Sequence, residues 1–268
     1  MDYETILLEH RDGVAYLTLN RPERANTISR QLSTDVVSAL DEIAADKEIR
    51  VVIITGAGRH FCGGADLRDV GRSTTGDGNQ PARGGGRDMM SRFEEIPQPV
   101  IAAINGAAMG GGCEIALACD IRVMSTSAQI GVPEIRFGAL PAGGGTARLP
   151  RTVGMGKAKE LIYSGLPISA EEAERIGLVN KAVPPEELMA TAEAMARVFQ
   201  ERAAYALSAA KFLLNRGRDV DTTTALALER RIIATMASPE ERAAARDQAA
   251  ATQATYANIF GKTAQTAN

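Results

Sequence analysis

The stretch Pro99-Val100-Ile101-Ala102-Ala103-Ile104-Asn105-Gly106-Ala107-Ala108-Met109-Gly110-Gly111-Gly112-Cys113-Glu114-Ile115-Ala116-Leu117-Ala118-Cys119-Asp120-Ile121-Arg122-Val123-Met124 decides the fold class. Pro99 to Ile104 is a short, continuous apolar run, which is how a strand buried on both faces reads. A glycine-rich turn closes it, Glu114 to Cys119 reads as helix, and Ile121 to Met124 as the next strand. Strand, tight turn, helix, strand is the pattern of an α/β fold with parallel strands. The three glycines Gly110-Gly111-Gly112 open the helix with free N–H groups, an arrangement suited to an anion or a developing oxyanion.

The flanking sequence extends the pattern. Ile6-Leu7-Leu8 and Val14 to Leu19 are apolar runs joined by Arg11-Asp12-Gly13, a hairpin signal. Leu32, Val36, Leu40 and Ile43 recur at spacings of four, four and three, the stripe of an amphipathic helix. Val51-Val52-Ile53-Ile54 reads as another buried strand, and Ala128-Gln129-Ile130 as a further one. The second half changes character. Ser169-Ala170-Glu171-Glu172 and Ser238-Pro239-Glu240-Glu241 are capping boxes, the latter with proline at the first helical position. The Ala-, Glu-, Arg- and Leu-rich chain from Pro185 predicts three helices, over 185–215, 221–237 and 239–257. The expectation is an α/β core over residues 1–195 and a helical C-terminal region over 196–268. Gly71 to Arg87, almost without large apolar side chains, is either a functional loop or a solvated one.

Composition narrows the function. With 30 Lys+Arg against 33 Asp+Glu, the net charge is −3, so a global basic field for nucleic acid is absent. Three cysteines, none in a Cys-x-x-Cys pair, make no disulfide framework, and two histidines exclude most histidine metal sites. The N-terminus has no signal-peptide pattern, and the most apolar window, Pro99 to Cys119, is interrupted by Asn105, Glu114 and glycines. A cytoplasmic protein without membrane or nucleic-acid partners is expected.

Three segments carry candidate chemistry. Thr55-Gly56-Ala57-Gly58-Arg59-His60-Phe61-Cys62-Gly63-Gly64-Ala65-Asp66-Leu67-Arg68 follows a strand and reads as opening a helix, but Phe61 stands where a dinucleotide fingerprint needs glycine. Its glycines either bring backbone N–H groups to a ligand or form a surface loop. Glu114 sits among Cys113, Ile115, Ala116, Leu117 and Ala118; a carboxylate buried there is either satisfied structurally or functional. Glu134, 20 positions later in Gly131-Val132-Pro133-Glu134-Ile135, either caps its own segment or returns to the same pocket for paired acid and base work. A nucleophile elbow and a phosphate-binding P-loop are absent from the sequence.

Taken together and in order, the three segments resemble the crotonase family, the enoyl-CoA hydratase/isomerase superfamily. Phe61 to Leu67 is similar to the family's first oxyanion segment, Ile104 to Glu114 with Cys119-Asp120 to the second, and Pro133-Glu134 through Pro141-Ala142-Gly143-Gly144-Gly145-Thr146 to the segment carrying the second acid. The resemblance implies a spiral of ββα units with a C-terminal α-helical trimerisation region, and a homotrimer or dimer of trimers. It implies that the N–H groups of Ala65 and Gly111 hold a thioester carbonyl, and that Glu114 and Glu134 are the acid–base pair. It places Arg24, Ala25, Gly63, Ala65, Asp66, Leu67, Arg68, Gly110, Gly111, Pro133 and Gly143 along the acyl-CoA, with Arg68 near its phosphates and Arg24 and Ala25 at its adenosine. Retention of both glutamates points to reversible syn addition of water to a trans-2-enoyl-CoA, giving a 3-hydroxyacyl-CoA. Neither a metal nor a cofactor is implied, since coenzyme A is part of the substrate. The sequence departs from the family's pattern in its long Gly71–Arg87 loop and in Ala243 to Phe260, from which no CoA contact is carried over. The competing readings are a Δ3,Δ2-enoyl-CoA isomerase or another reaction of the family, a non-catalytic acyl-CoA-binding scaffold and, more distantly, a nicotinamide oxidoreductase.

Overall fold

The computed structural model describes residues 2–66, 68 and 86–251. Leu67 and the part of the Gly71–Arg87 stretch before Gly86 lie outside them, as does the chain beyond 251. Strands β1 (Ile6–Arg11) and β2 (Val14–Leu19) form the expected hairpin, turning on Asp12 and Gly13 at φ 50° and 73°. Two left-handed residues in succession make a turn that matches strand twist. Helix α1 (Arg30–Ala45) follows; the Ser29 hydroxyl accepts from the Leu32 N–H and caps it. Its stripe, Leu32, Val36, Leu40 and Ile43, is fully buried.

The chain then repeats one unit three times. Strands β3 (Val51–Gly56), β5 (Val100–Ile104) and β7 (Ile121–Ser125) enter one sheet. Each is followed by a three-residue strand, β4 (His60–Cys62), β6 (Ala107–Met109) or β8 (Gln129–Gly131), that enters a second sheet. Helix α2 (Gly86–Glu95) precedes β5, and α3 (Gly111–Ala118) follows β6. Beyond β8 come α4 (Gly145–Val153), α5 (Met155–Ser164), β9 (Ile168–Ser169), α6 (Ala170–Arg175) and β10 (Lys181–Val183). The large sheet runs β1-β2-β3-β5-β7-β10 and is parallel except for the hairpin; the small sheet runs β4-β6-β8-β9. This is the expected spiral of ββα units. Its consequence is that the turns after β4, β6 and β8 gather at one edge.

Strands β3 and β5 at the middle of the large sheet are buried on both faces, which explains their continuous apolar runs. Val52 and Ile54 of β3 and Val100, Ala102 and Ile104 of β5 face the core shared with α1. Val51, Ile53, Ile101 and Ala103 face helix α7 (Leu188–Gln200), which contributes Leu188, Ala192, Met195 and Ala196. The sequence boundary at 195/196 therefore falls inside α7, with residues on both sides packed on the sheet.

The helix expected over 185–215 is two. The chain breaks at 201–203, and α8 (Ala204–Gly217) starts after Ala203 at φ −61°, ψ 123°. No glycine or proline marks the break. It is tertiary: the Arg50 guanidinium donates to the Arg202 carbonyl at 2.6 Å. Helices α9 (Thr222–Thr235) and α10 (Pro239–Ala251) follow, close to expectation, and the Ser238–Glu241 capping box closes in both directions. The Lys211 ammonium ties α8 to the core, donating to the carbonyls of Phe93 and Gln98 and pairing with Asp120 at 2.9 Å. Among the described residues no helix is long and apolar enough to cross a membrane.

Candidate active site

The first loop is shaped by Asn26. Ala25 and Asn26 sit in succession in the left-handed region, at φ 50° and 54°. The fully buried Asn26 amide donates to the carbonyls of Ala57 and His60, and its oxygen accepts from the Arg21 N–H. The Gly63 N–H donates to the Ala25 carbonyl at 2.8 Å. Ile28 then bridges to Ala65: its N–H donates to the Gly64 carbonyl and its carbonyl accepts from the Asp66 N–H. This pairing uses the residues on either side of Ala65 and leaves the Ala65 N–H free of it. Asp66 pairs with Arg21 at 3.1 Å and accepts from the Arg68 N–H. Although burial opposes it, the hydrogen bond from Arg21 keeps the Asp66 carboxyl below its usual range. Asp66 thus braces the loop. Arg24 and Arg68 stand exposed, and Leu67 lies outside the described residues.

The second loop meets the first at the start of α3. The helix begins at Gly111, three residues before the sequence reading placed it, because the glycines are packed against a neighbouring backbone. A carbon branch on Gly112 would stand 2.1 Å from the Cys62 carbonyl oxygen, so only glycine fits. Gly111 is the first helical residue, so its N–H has no intrahelical acceptor. A branch on Gly111 would stand 3.7 Å from the Ala65 nitrogen, and one on Gly64 would stand 3.6 Å from the Gly111 nitrogen. Two backbone N–H groups from different loops therefore lie side by side, at exposed Ala65 and half-buried Gly111.

Two carboxylates face them. Glu114, one turn into α3, is 4% exposed. Burial lifts its pKa, while the N–H groups of Gly145 and Gly143 and the charge of Arg148 pull it back. The Gly145 N–H donates to Glu114 Oε1 at 2.8 Å. Gly143 packs on the other oxygen: a branch there would stand 2.4 Å from Glu114 Oε2. Glu134 comes from the 3-10 turn Pro133–Phe137, headed by half-buried Pro133. Its carboxylate lies over Gly110, where a branch would stand 2.8 Å from Oε1. Glu134 Oε2 is buried with no hydrogen-bond partner among the described residues. Burial, and then the charge of Glu114, push its pKa up, against its own N–H. One carboxylate is thus supplied with donors and the other is starved of them, the environment that separates a base from an acid.

Ala65, Gly110, Gly111, Glu114, Glu134 and Gly143 are brought together at one edge. The sequence reading missed what stands behind Gly143. Arg148 of α4 donates to the Gly143 carbonyl at 2.9 Å and makes a two-pronged pair with Glu94 of α2 at 2.9 and 2.8 Å. Arg218, just past α8, also donates to Glu94 at 2.8 Å. The only signal for Arg148 was its position one helical turn past the Gly143-Gly144-Gly145 run; its acidic partner is 54 residues away.

The chain is similar to known proteins in both sequence and fold. The sequence profile of the enoyl-CoA hydratase/isomerase family matches residues 9–253. A short-chain-enoyl-CoA hydratase of Clostridium acetobutylicum is 44% identical over 230 residues, covering 85% of this chain and 88% of the relative. The crystal structure of an enoyl-CoA hydratase from Bacillus anthracis superimposes with a TM-score of 0.80 at 37% identity, covering 93% of this chain and 92% of that one. Another, from Geobacillus kaustophilus, gives a TM-score of 0.85 at 28% identity over 94% and 96% of the two chains.

Proposed function

This chain belongs to the enoyl-CoA hydratase/isomerase family, and we propose that it is an enoyl-CoA hydratase, adding water across the double bond of a trans-2-enoyl-CoA to give a 3-hydroxyacyl-CoA. An acyl-CoA thioester is the substrate class of the family. The observation that carries hydration is the unequal pair of glutamates beside the two free N–H groups. Attack at the β-carbon of an enoyl thioester sends negative charge to the thioester oxygen. The Ala65 and Gly111 N–H groups receive it; one such donor is worth about 2.7–4 kcal/mol in the transition state. Glu114, held in place by the Gly143–Gly145 segment, orients water and takes its proton. Glu134, its carboxyl pushed up by burial and by Glu114, protonates the α-carbon. Each transfer contributes on the order of 10²–10⁴-fold. The two carboxyls interact, so the pair titrates as a unit.

Coenzyme A is carried as part of the substrate, Arg24, Ala25, Gly63 and Arg68 lying along it, and the proposed reaction needs no resident metal or redox group. The same reading takes the protein as a cytoplasmic homotrimer or dimer of trimers. What supports association of copies is α9, which buries none of its residues and leaves Leu226 and Ile233 45% and 46% exposed.

Mass-resolved turnover on trans-2-enoyl-CoAs, from short to long, tests the proposal. A gain of one water on some members of the panel is expected. Double-bond migration without added mass would make the protein an isomerase, and acyl-CoA binding without turnover would make it a scaffold.

A further inference from the structure

We propose that Arg148 is a positioning residue for Glu114, and that Arg218 couples the C-terminal helices to the acid–base pair through it. The inference rests on the hydratase reading and deepens it. The chain of contacts is continuous. Arg218, between α8 and α9, donates to Glu94 Oε1 at 2.8 Å. Glu94, 19% exposed at its side chain, receives Arg148 through both carboxylate oxygens. A two-pronged pair fixes the plane of a guanidinium as well as its place. The remaining nitrogen of Arg148 donates to the Gly143 carbonyl. Gly143 and Gly145 bracket the Glu114 carboxylate. The segment that orients Glu114 is thus held by Arg148, whose partner Glu94 is itself held from a second side by Arg218.

Arg148 already ends its own helix contacts through its backbone, the N–H donating to the Gly144 carbonyl. Its side chain, 12% exposed, turns back across Gly144, where a branch would stand 1.9 Å from the Arg148 Nη1. The charged and titratable groups facing Glu114 are Arg148 from α4, Glu134 from the 3-10 turn and Cys113 on its own helix. Arg148 is the one cation among them, and it lowers the Glu114 pKa as well as aiming it.

The test is Arg148→Ala and Arg218→Ala, singly and together, with pH profiles of kcat and KM and a carbon-13 titration of Glu114 assigned with Glu114→Gln. In Arg148→Ala, kcat is expected to fall on the order of 10²-fold, as for a roughly 1 Å misplacement, with KM little changed. The acid limb of the kcat profile and the Glu114 titration both move to higher pH, and added guanidinium restores part of kcat. Arg218→Ala moves both in the same direction by less, and adds nothing once Arg148 is gone. Unmoved limb and titration in a folded Arg148→Ala would overturn the proposal, as would an Arg218→Ala effect of equal size with and without Arg148. Should Arg148→Ala not fold, Arg218→Ala decides alone by the same titration. Absence of hydration by the unaltered protein would instead overturn the hydratase reading, and the Glu114 titration would still decide the role of Arg148.

Discussion

Gly143→Ala perturbs the acid–base pair with a single methyl group. The new carbon would stand 2.4 Å from Glu114 Oε2 and 2.9 Å from its carboxyl carbon. Ordinary contact lies near 3.5 Å, so the carboxylate must retreat by roughly 1 Å. The alternative, movement of the loop, breaks the 2.9 Å bond from Arg148 to the Gly143 carbonyl. Either route withdraws Glu114 from the Gly145 N–H that aims it. A displacement of about 1 Å at a reacting group costs about 10²-fold in rate, equivalent to about 2.7 kcal/mol of activation free energy. The Gly143 backbone is outside the left-handed region, so alanine adds no backbone strain there. The assay is kcat and KM on the best trans-2-enoyl-CoA beside a thermal melt. The expected result is a fall of about 10²-fold in kcat with a Tm near that of the unaltered protein. Gly156→Ala is the companion variant: it lies in α5 with nothing within 4 Å of the added carbon. It should leave kcat alone and, as a helical Gly→Ala change, raise stability by about 0.5–1 kcal/mol. A folded Gly143→Ala protein with unchanged kcat would refute the claim that Gly143 confines Glu114.

Two further outcomes bear on the frame around the site. Lys211→Met strands buried Asp120 and the Phe93 and Gln98 carbonyls; breaking one partner of a buried pair costs about 3–5 kcal/mol, so calorimetry should find Tm lower by roughly 6–20 °C, and an unchanged Tm would show that Lys211 does not anchor α8. Glu94 is held below its ordinary 4.5 by Arg148 and Arg218, against the effect of burial. A group depressed in the folded state contributes stability above its unfolded pKa and loses it as pH falls through its folded one. The Tm gap between the unaltered protein and Glu94→Gln should therefore hold above about pH 5 and shrink as the pH falls below the ordinary 4.5 and through the lowered folded value; a gap independent of pH would contradict the ion-pair assignment.

What was legible in the sequence was whatever one element decides alone. The Asp12-Gly13 turn and the Leu32–Val36–Leu40–Ile43 stripe needed no partners to be read, and the apolar runs at 51–54 and 100–104 announced strands covered on both faces. Of the small sheet, β8 was read from Ala128-Gln129-Ile130, but β4 and β6 were hidden, since three residues are too few to show a period. The break at 201–203 was hidden for a different reason: helix-tolerant residues are turned there by Arg50, which is remote in sequence. The same division runs through the site. Glu114 declared itself by standing among apolar neighbours, and Glu134 by its setting beside the Pro141–Thr146 segment. Asn26, Glu94 and Arg148 did not, because each acts through groups on other elements. Which glutamate is supplied with donors and which is starved of them belongs to the three-dimensional packing alone.

The division of labour between the two glutamates is tested most directly by Glu114→Gln and Glu134→Gln, assayed for water addition to a trans-2-enoyl-CoA with thermal melts alongside. Both variants should bind acyl-CoA and melt near the unaltered protein, yet each should lose on the order of 10²–10⁴-fold in kcat. Full hydration activity in either folded variant would contradict the paired acid–base account.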